Sequence, residues 1–237
     1  MVIITGASGG IGNALAQKVV LSGQICCAVI RDVNKPNTAL LRSEISNLFV
    51  VDYRLNSFIG LLPDTVEPQI SHVTLVLNAF DIYPIKKASE LIMEEVRKNI
   101  EFNIAKQIEI TTKAFELSRY VNVPFKIVYL DSGAAYQPIS GWSMYCAGKA
   151  YMGMFLRVFS QENDIPLVLY DPGVVDTKMQ EAIRNSDKQH FPLVEKFINF
   201  HLSKQLHSTS EIAEDIWGRY LQNWNAAELR EHFADRT

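Results

Sequence analysis

Hydrophobic positions in this chain fall into short continuous runs separated by longer stretches of helical period. Val2–Thr5 is the first run, and Ile11, Leu15 and Val19 follow it four residues apart, the spacing of one helix face. Further apolar runs lie at 25–30, 48–51, 73–77, 127–130 and 167–170, with helical patterns notably over 90–120 and 145–161. Strands that alternate with helices predict βαβ units and a parallel sheet. The expected architecture is a single Rossmann-type α/β domain over 1–237, a doubly wound parallel sheet with helices on both faces.

The polar positions add a second regularity. The runs end on Gly6, Asp52, Asn78, Ser132 and Pro172, all small or polar except the proline. In an open parallel sheet the ligand crevice lies beyond the carboxyl ends of the strands, so these residues should gather at one edge. Residues 178–210 carry no strand pattern, only apolar patches at 191–194 and 197–200, and read as a lid of short helices. No seventh strand is evident in the tail after Trp217.

Composition narrows the function classes. The chain is 48% hydrophobic and 21% charged, with a net charge of −3 and no block of Lys or Arg, which argues against nucleic acid as a partner. No apolar run reaches the roughly 20 residues of a membrane helix, and the amino terminus lacks the pattern of a signal peptide. The three cysteines, with Cys26 and Cys27 adjacent, form neither a disulfide framework nor a metal motif, so a reducing cytoplasm and no metal are expected. Cys146 reads as a packed thiol, and His190, His201 and His207 as solvated side chains.

Candidate chemistry begins with TGASGGIG, Thr5 to Gly12, between a strand and a helix. Gly6, Gly10 and Gly12 allow a tight turn, and with Ser8 and Ile11 they would bring backbone N–H groups to a pyrophosphate at the helix start. Tyr145 and Lys149 form Y-x-x-x-K, which puts both side chains on one helix face. An ammonium beside a phenol favours the phenolate; a shift of three pKa units corresponds to about 4 kcal/mol, which calls for an enclosed site. Asp171-Pro172-Gly173 is a turn signal after the sixth run.

With its G-x-x-x-G-x-G spacing and leading Thr5, the chain resembles the short-chain dehydrogenase/reductase family over roughly residues 1–177. That resemblance implies a catalytic set of Asn103, Ser132, Tyr145 and Lys149, with Ser132 standing thirteen residues before the tyrosine as the family has it. Asn99 is a rival for the asparagine role, four residues earlier on the same face. The family's asparagine kinks its helix and holds a water leading to the lysine. Asp52 corresponds to the residue at the adenine ring. Pro172, Val175 and Thr177 correspond to the turn at the nicotinamide. Asn78 corresponds to the second Asn of Asn-Asn-Ala-Gly, where this chain reads LNAF with Phe80 in place of the glycine. Asp131 stands where a second serine is common, which makes that wall more acidic.

The second run ends on Ile30 and Arg31, without the acid that binds an NAD ribose, and Arg31 suits a 2′-phosphate. NADP is the expected cofactor, although Asp32 follows and Gly9 replaces a basic residue common in NADP-dependent members. The sequence around Tyr145 is most similar to the sepiapterin reductase and benzil reductase branch, implying an NADP-dependent carbonyl reductase acting on a small-molecule ketone, a vicinal dicarbonyl. The alternatives are a 3-oxoacyl or hydroxysteroid-type reductase, and an NADPH-binding sensor without turnover. The family implies a homodimer or homotetramer through its long helices.

Overall fold

The computed structural model describes residues 1–32, 46–54, 56–61, 67–222 and 229–232. Seven strands form one parallel sheet: β1 Val2–Thr5, β2 Cys26–Ile30, β3 Leu48–Asp52, β4 Val73–Leu77, β5 Phe125–Leu130, β6 Leu167–Asp171 and β7 Leu229–His232. Their order across the sheet is β3-β2-β1-β4-β5-β6-β7, so the winding reverses between β1 and β4. The first six strands lie at the expected apolar runs. The seventh does not correspond to an apolar run: its sequence is Leu-Arg-Glu-His, and it is held by parallel pairing of Val168–Asp171 with Leu229–His232. The remaining tail, 223–228 and 233–237, lies outside the described residues.

Successive side chains on each strand enter opposite cores. Ile3, Leu75, Ile127 and Leu169 pack on one face with Ile110, Leu117, Met152 and Leu156. Val2, Ile4, Val76, Val128 and Val168 pack on the other with Leu15, Val19, Ile212 and Ile216. Burial on both faces is why the runs read as continuously apolar rather than alternating. The first face is covered by α3 (Lys106–Tyr120) and α4 (Ser143–Asn163), the second by α1 (Gly10–Leu21) and α7 (Thr209–Ile216). Helix α2 (Met93–Ile100) runs into α3 through a π-helical turn at Glu101–Ala105.

After β6 the chain forms α5 (Lys178–Arg184) and α6 (Val194–Leu202), inside the segment expected to be a lid. Its core is aromatic. Trp142, just before α4, stacks on Phe191 at 4.8 Å between ring centroids, and Phe197 packs against both. Gly141 makes this junction possible: its φ is +86°, and a Cβ there would fall 2.4 Å from the His190 carbonyl oxygen. The far end of the segment returns to the sheet edge. His207 donates its backbone N–H to the Val174 carbonyl and accepts from the Asp176 N–H, both at 2.9 Å, so its backbone ties the segment to the turn after β6. No helix among the described residues is long and apolar enough to cross a membrane.

Candidate active site

The crevice opens at the winding reversal. Thr5 is buried at the end of β1, and its Oγ1 accepts from the backbone N–H groups of Asn78 at 3.0 Å and Ala79 at 2.9 Å. Asn78 returns the tie, its Nδ2 donating to the Thr5 carbonyl at 3.0 Å. The Asn78 side chain therefore braces β1 to β4 while lining the crevice. Gly6 leaves the strand at φ +70°, where a Cβ would meet Asn78. Gly12 serves a different need: a Cβ on it would sit 2.6 Å from the Gly6 carbonyl oxygen, so the glycine lets α1 approach the turn. No side chain caps the start of α1, and Gly9 before it is extended and unobstructed.

A cavity of about 560 Å³ runs along the strand ends. Gly6, Ser8, Gly10, Ile11, Arg31, Asn78, Tyr145, Lys149, Pro172 and Thr177 all line it. Thr177 caps α5, accepting from the Gln180 N–H at 3.3 Å, and its methyl group faces Gly10 across the crevice. Gly12, Asp52, Asn103, Ser132 and Val175 stand behind or beside the lining. Asp52 is engaged by Arg54 at 2.7 Å, which holds its carboxyl down near 2. Val175 is buried opposite His207.

At the other end Ser132 follows β5 and caps a short turn, accepting from the Ala134 N–H at 3.2 Å. Its hydroxyl is also the neighbour that opposes the rise of the Tyr145 phenol pKa. The thirteen-residue spacing thus brings the two hydroxyls together as expected. Burial pushes the phenol pKa well above its ordinary value, Asp171 and Asp131 add to the rise, and only Ser132 and no cation opposes it. The reason is where the lysine points: the Lys149 Nζ donates to the Leu130 carbonyl and lies 5.8 Å from the tyrosine ring centroid.

Lys149 is itself buried beneath rings, its Nζ 4.2 Å from the centroid of Phe80 and 4.7 Å from that of Tyr129. Ring faces attract an ammonium by about 0.5–2 kcal/mol. Losing its hydration costs several kcal/mol, so water exclusion wins. Burial lowers the ammonium to about 8, against the opposing pull of Asp131 and Asp171.

Asn103 sits in the π-helical turn, fully buried, with both ends of its amide spent on one residue. Its Oδ1 accepts from the Asp81 N–H at 2.7 Å and its Nδ2 donates to the Asp81 carbonyl at 2.8 Å. Asn99 pins the same loop one step on, donating to the Tyr83 carbonyl at 2.6 Å. Arg31 crosses the crevice mouth, 3.7 Å from Asp81 and over the Phe102 ring at 5.0 Å.

Several lining residues escaped sequence reasoning: Tyr53, Asp81, Ile82, Tyr83, Phe102 and Met179. Tyr53, Asp81, Ile82 and Tyr83 come from loops, where no periodicity marks a side chain as inward, and Phe102 and Met179 from the π-helical turn and the short α5. Cys146 is half-buried with its thiol raised by burial, which fits a packed group. No group of three or more His, Cys, Asp or Glu that could hold a metal ion occurs among the described residues.

Comparison with known proteins agrees with this geometry. A family model described as short chain dehydrogenase matches residues 1–188. A benzil reductase ((S)-benzoin forming) of Bacillus subtilis is 32% identical over 218 residues, covering 89% of each chain. A sepiapterin reductase of Bos taurus is 28% identical over 210 residues, covering 78% of this chain and 76% of that one. Among solved structures, the KRED1-Pglu enzyme superposes with a TM-score of 0.80 at 24% identity, covering 96% of this chain and 99% of that one.

Proposed function

The chain belongs to the short-chain dehydrogenase family, and on that footing we propose that it is an NADPH-dependent carbonyl reductase whose substrate is a vicinal dicarbonyl. The observation that carries the reading is the Tyr145 phenol, buried at the floor of the crevice beside the buried Lys149 ammonium, with both residues lining the cavity. A phenol keeps its proton at neutral pH and can give it up as negative charge develops on the carbonyl oxygen, the role of a general acid.

The residues present fit a nicotinamide dinucleotide. The uncapped start of α1 beside a glycine turn is a site that a pyrophosphate would complete, through Gly6, Ser8, Gly10, Ile11 and Gly12. Arg31, exposed at the mouth, would take a 2′-phosphate, with Asp52 near the adenine and Asn78 beneath the crevice floor. Tyr145 and Lys149 would hold the nicotinamide ribose, and Pro172, Val175 and Thr177 the carboxamide side. Val174 and Asp176 turn their backbone groups to His207, which leaves those of Val175 directed to the opposite edge. Reduced nicotinamide, when bound, supplies hydride to the carbonyl carbon.

Tyr145 donates its proton to the carbonyl oxygen as negative charge develops there. Ser132 donates a hydrogen bond to the same oxygen and orients the phenol. Lys149 supplies a positive charge 5.8 Å from the ring of the phenolate left behind. Asn103 fixes the loop at Asp81 and the π-helical turn, and with a water it supports return of the proton. Phe80, Ile82, Tyr83 and Met179 line the cavity with apolar and aromatic surface, which supports an aryl-substituted dicarbonyl over a charged substrate. The relatives that act on benzil and sepiapterin support the same substrate class.

Free Cys26, Cys27 and Cys146 fit a reducing cytoplasm. The exposed Tyr151, Met154 and Val158 along α4 supply the face for a homodimer or homotetramer. The test is a carbonyl panel of benzil, other diketones, sepiapterin, 3-oxoacyl thioesters and steroid ketones, each with NADPH and NADH. Diketone reduction with NADPH preferred is the expected result. Turnover confined to 3-oxoacyl thioesters or steroids would replace the substrate proposal, and tight NADPH binding with no turnover would replace the enzyme by a sensor.

A further inference from the structure

The Lys149 ammonium is bonded to the carbonyl of the peptide that joins Leu130 to Asp131. The Asp131 side chain is buried at this point and lines the same cavity. Its Oδ2 accepts from the Tyr136 hydroxyl at 2.8 Å, and that hydroxyl accepts in turn from Arg157 at 3.2 Å. The Tyr136 hydroxyl is thereby fixed on the carboxylate, with the Arg157 guanidinium behind it. The Oδ1 is buried with no hydrogen-bond partner. A buried half-satisfied carboxylate is costly unless a cation offsets its charge. The Phe80 ring stands 4.2 Å from the ammonium, wedged over Gly148, where a Cβ would fall 3.0 Å from the ring tip.

We propose that Phe80 and Asp131 act on Lys149 as an opposed pair, the ring excluding water from the ammonium and the carboxylate restoring its charge, which makes both of them positioning residues for the proton held at Tyr145. Other groups face the ammonium from each neighbouring element. Asp171, at the end of β6, has its Oδ1 bound by the Gly173 N–H at 3.0 Å. Tyr129 on β5 presents its ring, and Tyr145 shares α4 with the lysine. Each carboxylate spends one oxygen locally, but the second oxygen of Asp131 is buried without a partner, so Asp131 is the carboxylate whose loss the lysine registers most. The catalytic consequence rests on the reductase reading; the pairing itself does not.

The experiment is an NMR titration of the Lys149 side chain in the full-length protein, before and after adding NADPH, with Lys149→Arg assigning the signal. The wild-type midpoint is expected near 8. Asp131→Asn and Asp131→Ser should each lower it by about one unit, a tenfold loss of charged lysine above the midpoint. Phe80→Ala should raise it, and Phe80→Ala with Asp131→Asn should return toward wild type. The alkaline limb of NADPH-dependent reduction should move in parallel. An unmoved midpoint in both Asp131 variants overturns the pair, as does a uniform loss of rate at every pH. Should Asp131→Asn fail to fold, Asp131→Ser reads the same quantity. Midpoints that move as expected in a chain that reduces no carbonyl would sink the reductase reading and leave the pair standing.

Discussion

At the β2–β3 end of the crevice Arg31 and Arg54 keep their charged ends in water, the first near Asp81 and the second paired with Asp52. At the β5–β6 end Lys149, Asp131 and Asp171 are buried, and the rings of Phe80, Tyr129 and Tyr145 stand between the lysine and solvent. Exposed charges are screened, and their pairings contribute little to stability. Buried charges interact strongly and are costly to leave alone. The difference assigns the two ends different work. The wet end can recognise a phosphate by exchanging one exposed partner for another. The dry end can hold a proton at a chosen atom because nothing there is cheap to move.

That contrast can be broken first at the dry end. Tyr145→Phe should lower NADPH-dependent reduction by about 10²–10⁴-fold, the range of general acid catalysis, while NADPH binding by fluorescence stays within a few-fold. Full residual turnover would remove Tyr145 from the mechanism. At the wet end, Arg31→Ala should weaken NADPH by about 10–150-fold, as the loss of charge-assisted hydrogen bonds implies, and leave NADH nearly unchanged. Equal loss of both would transfer the phosphate role elsewhere.

The pH dependence sharpens the comparison further. Lys149 is charged below about 8 and neutral above it, so reduction should be level through neutrality and fall above that pH. Tyr145, raised by burial, stays protonated through the same range and adds no limb of its own. A rate level well beyond that point would detach Lys149 from the chemistry. The smallest effect belongs to Asp52→Asn, which should change NADPH affinity by less than about fivefold, the ceiling for exposed ion pairs. A larger loss would mean that Asp52 reaches the cofactor rather than serving Arg54.

What the sequence made legible follows the same division. The six apolar runs became strands because burial on both faces leaves a continuous signal. The glycine turn and the Ser132–Tyr145–Lys149 spacing were legible because the chain supplies them over short distances on regular elements. β7 was hidden because its pairing to β6, not its composition, makes it a strand. The direction of the Tyr145 shift was hidden because it depends on where the Lys149 side chain points, and that is set by the Leu130 carbonyl and the Phe80 ring. Arg31 was a candidate phosphate ligand by its position after β2, but its neighbours Asp81 and Phe102 come from a loop and the π-helical turn, which no local pattern joins to it.

The tie between His207 and the turn at Val175 also has a consequence for how such a protein can change. It closes the segment after β6 into an excursion whose ends are fixed on the sheet edge. The conformational entropy lost in closing a loop grows only with the logarithm of its length, about 0.6 kcal/mol for each doubling. Residues can therefore be inserted, removed or exchanged inside the excursion without disturbing either anchor. Selection can reshape the roof of the pocket as a cassette so long as Phe191 and Phe197 keep their packing on Trp142, whose ring lies 5.5 Å from that of Tyr145.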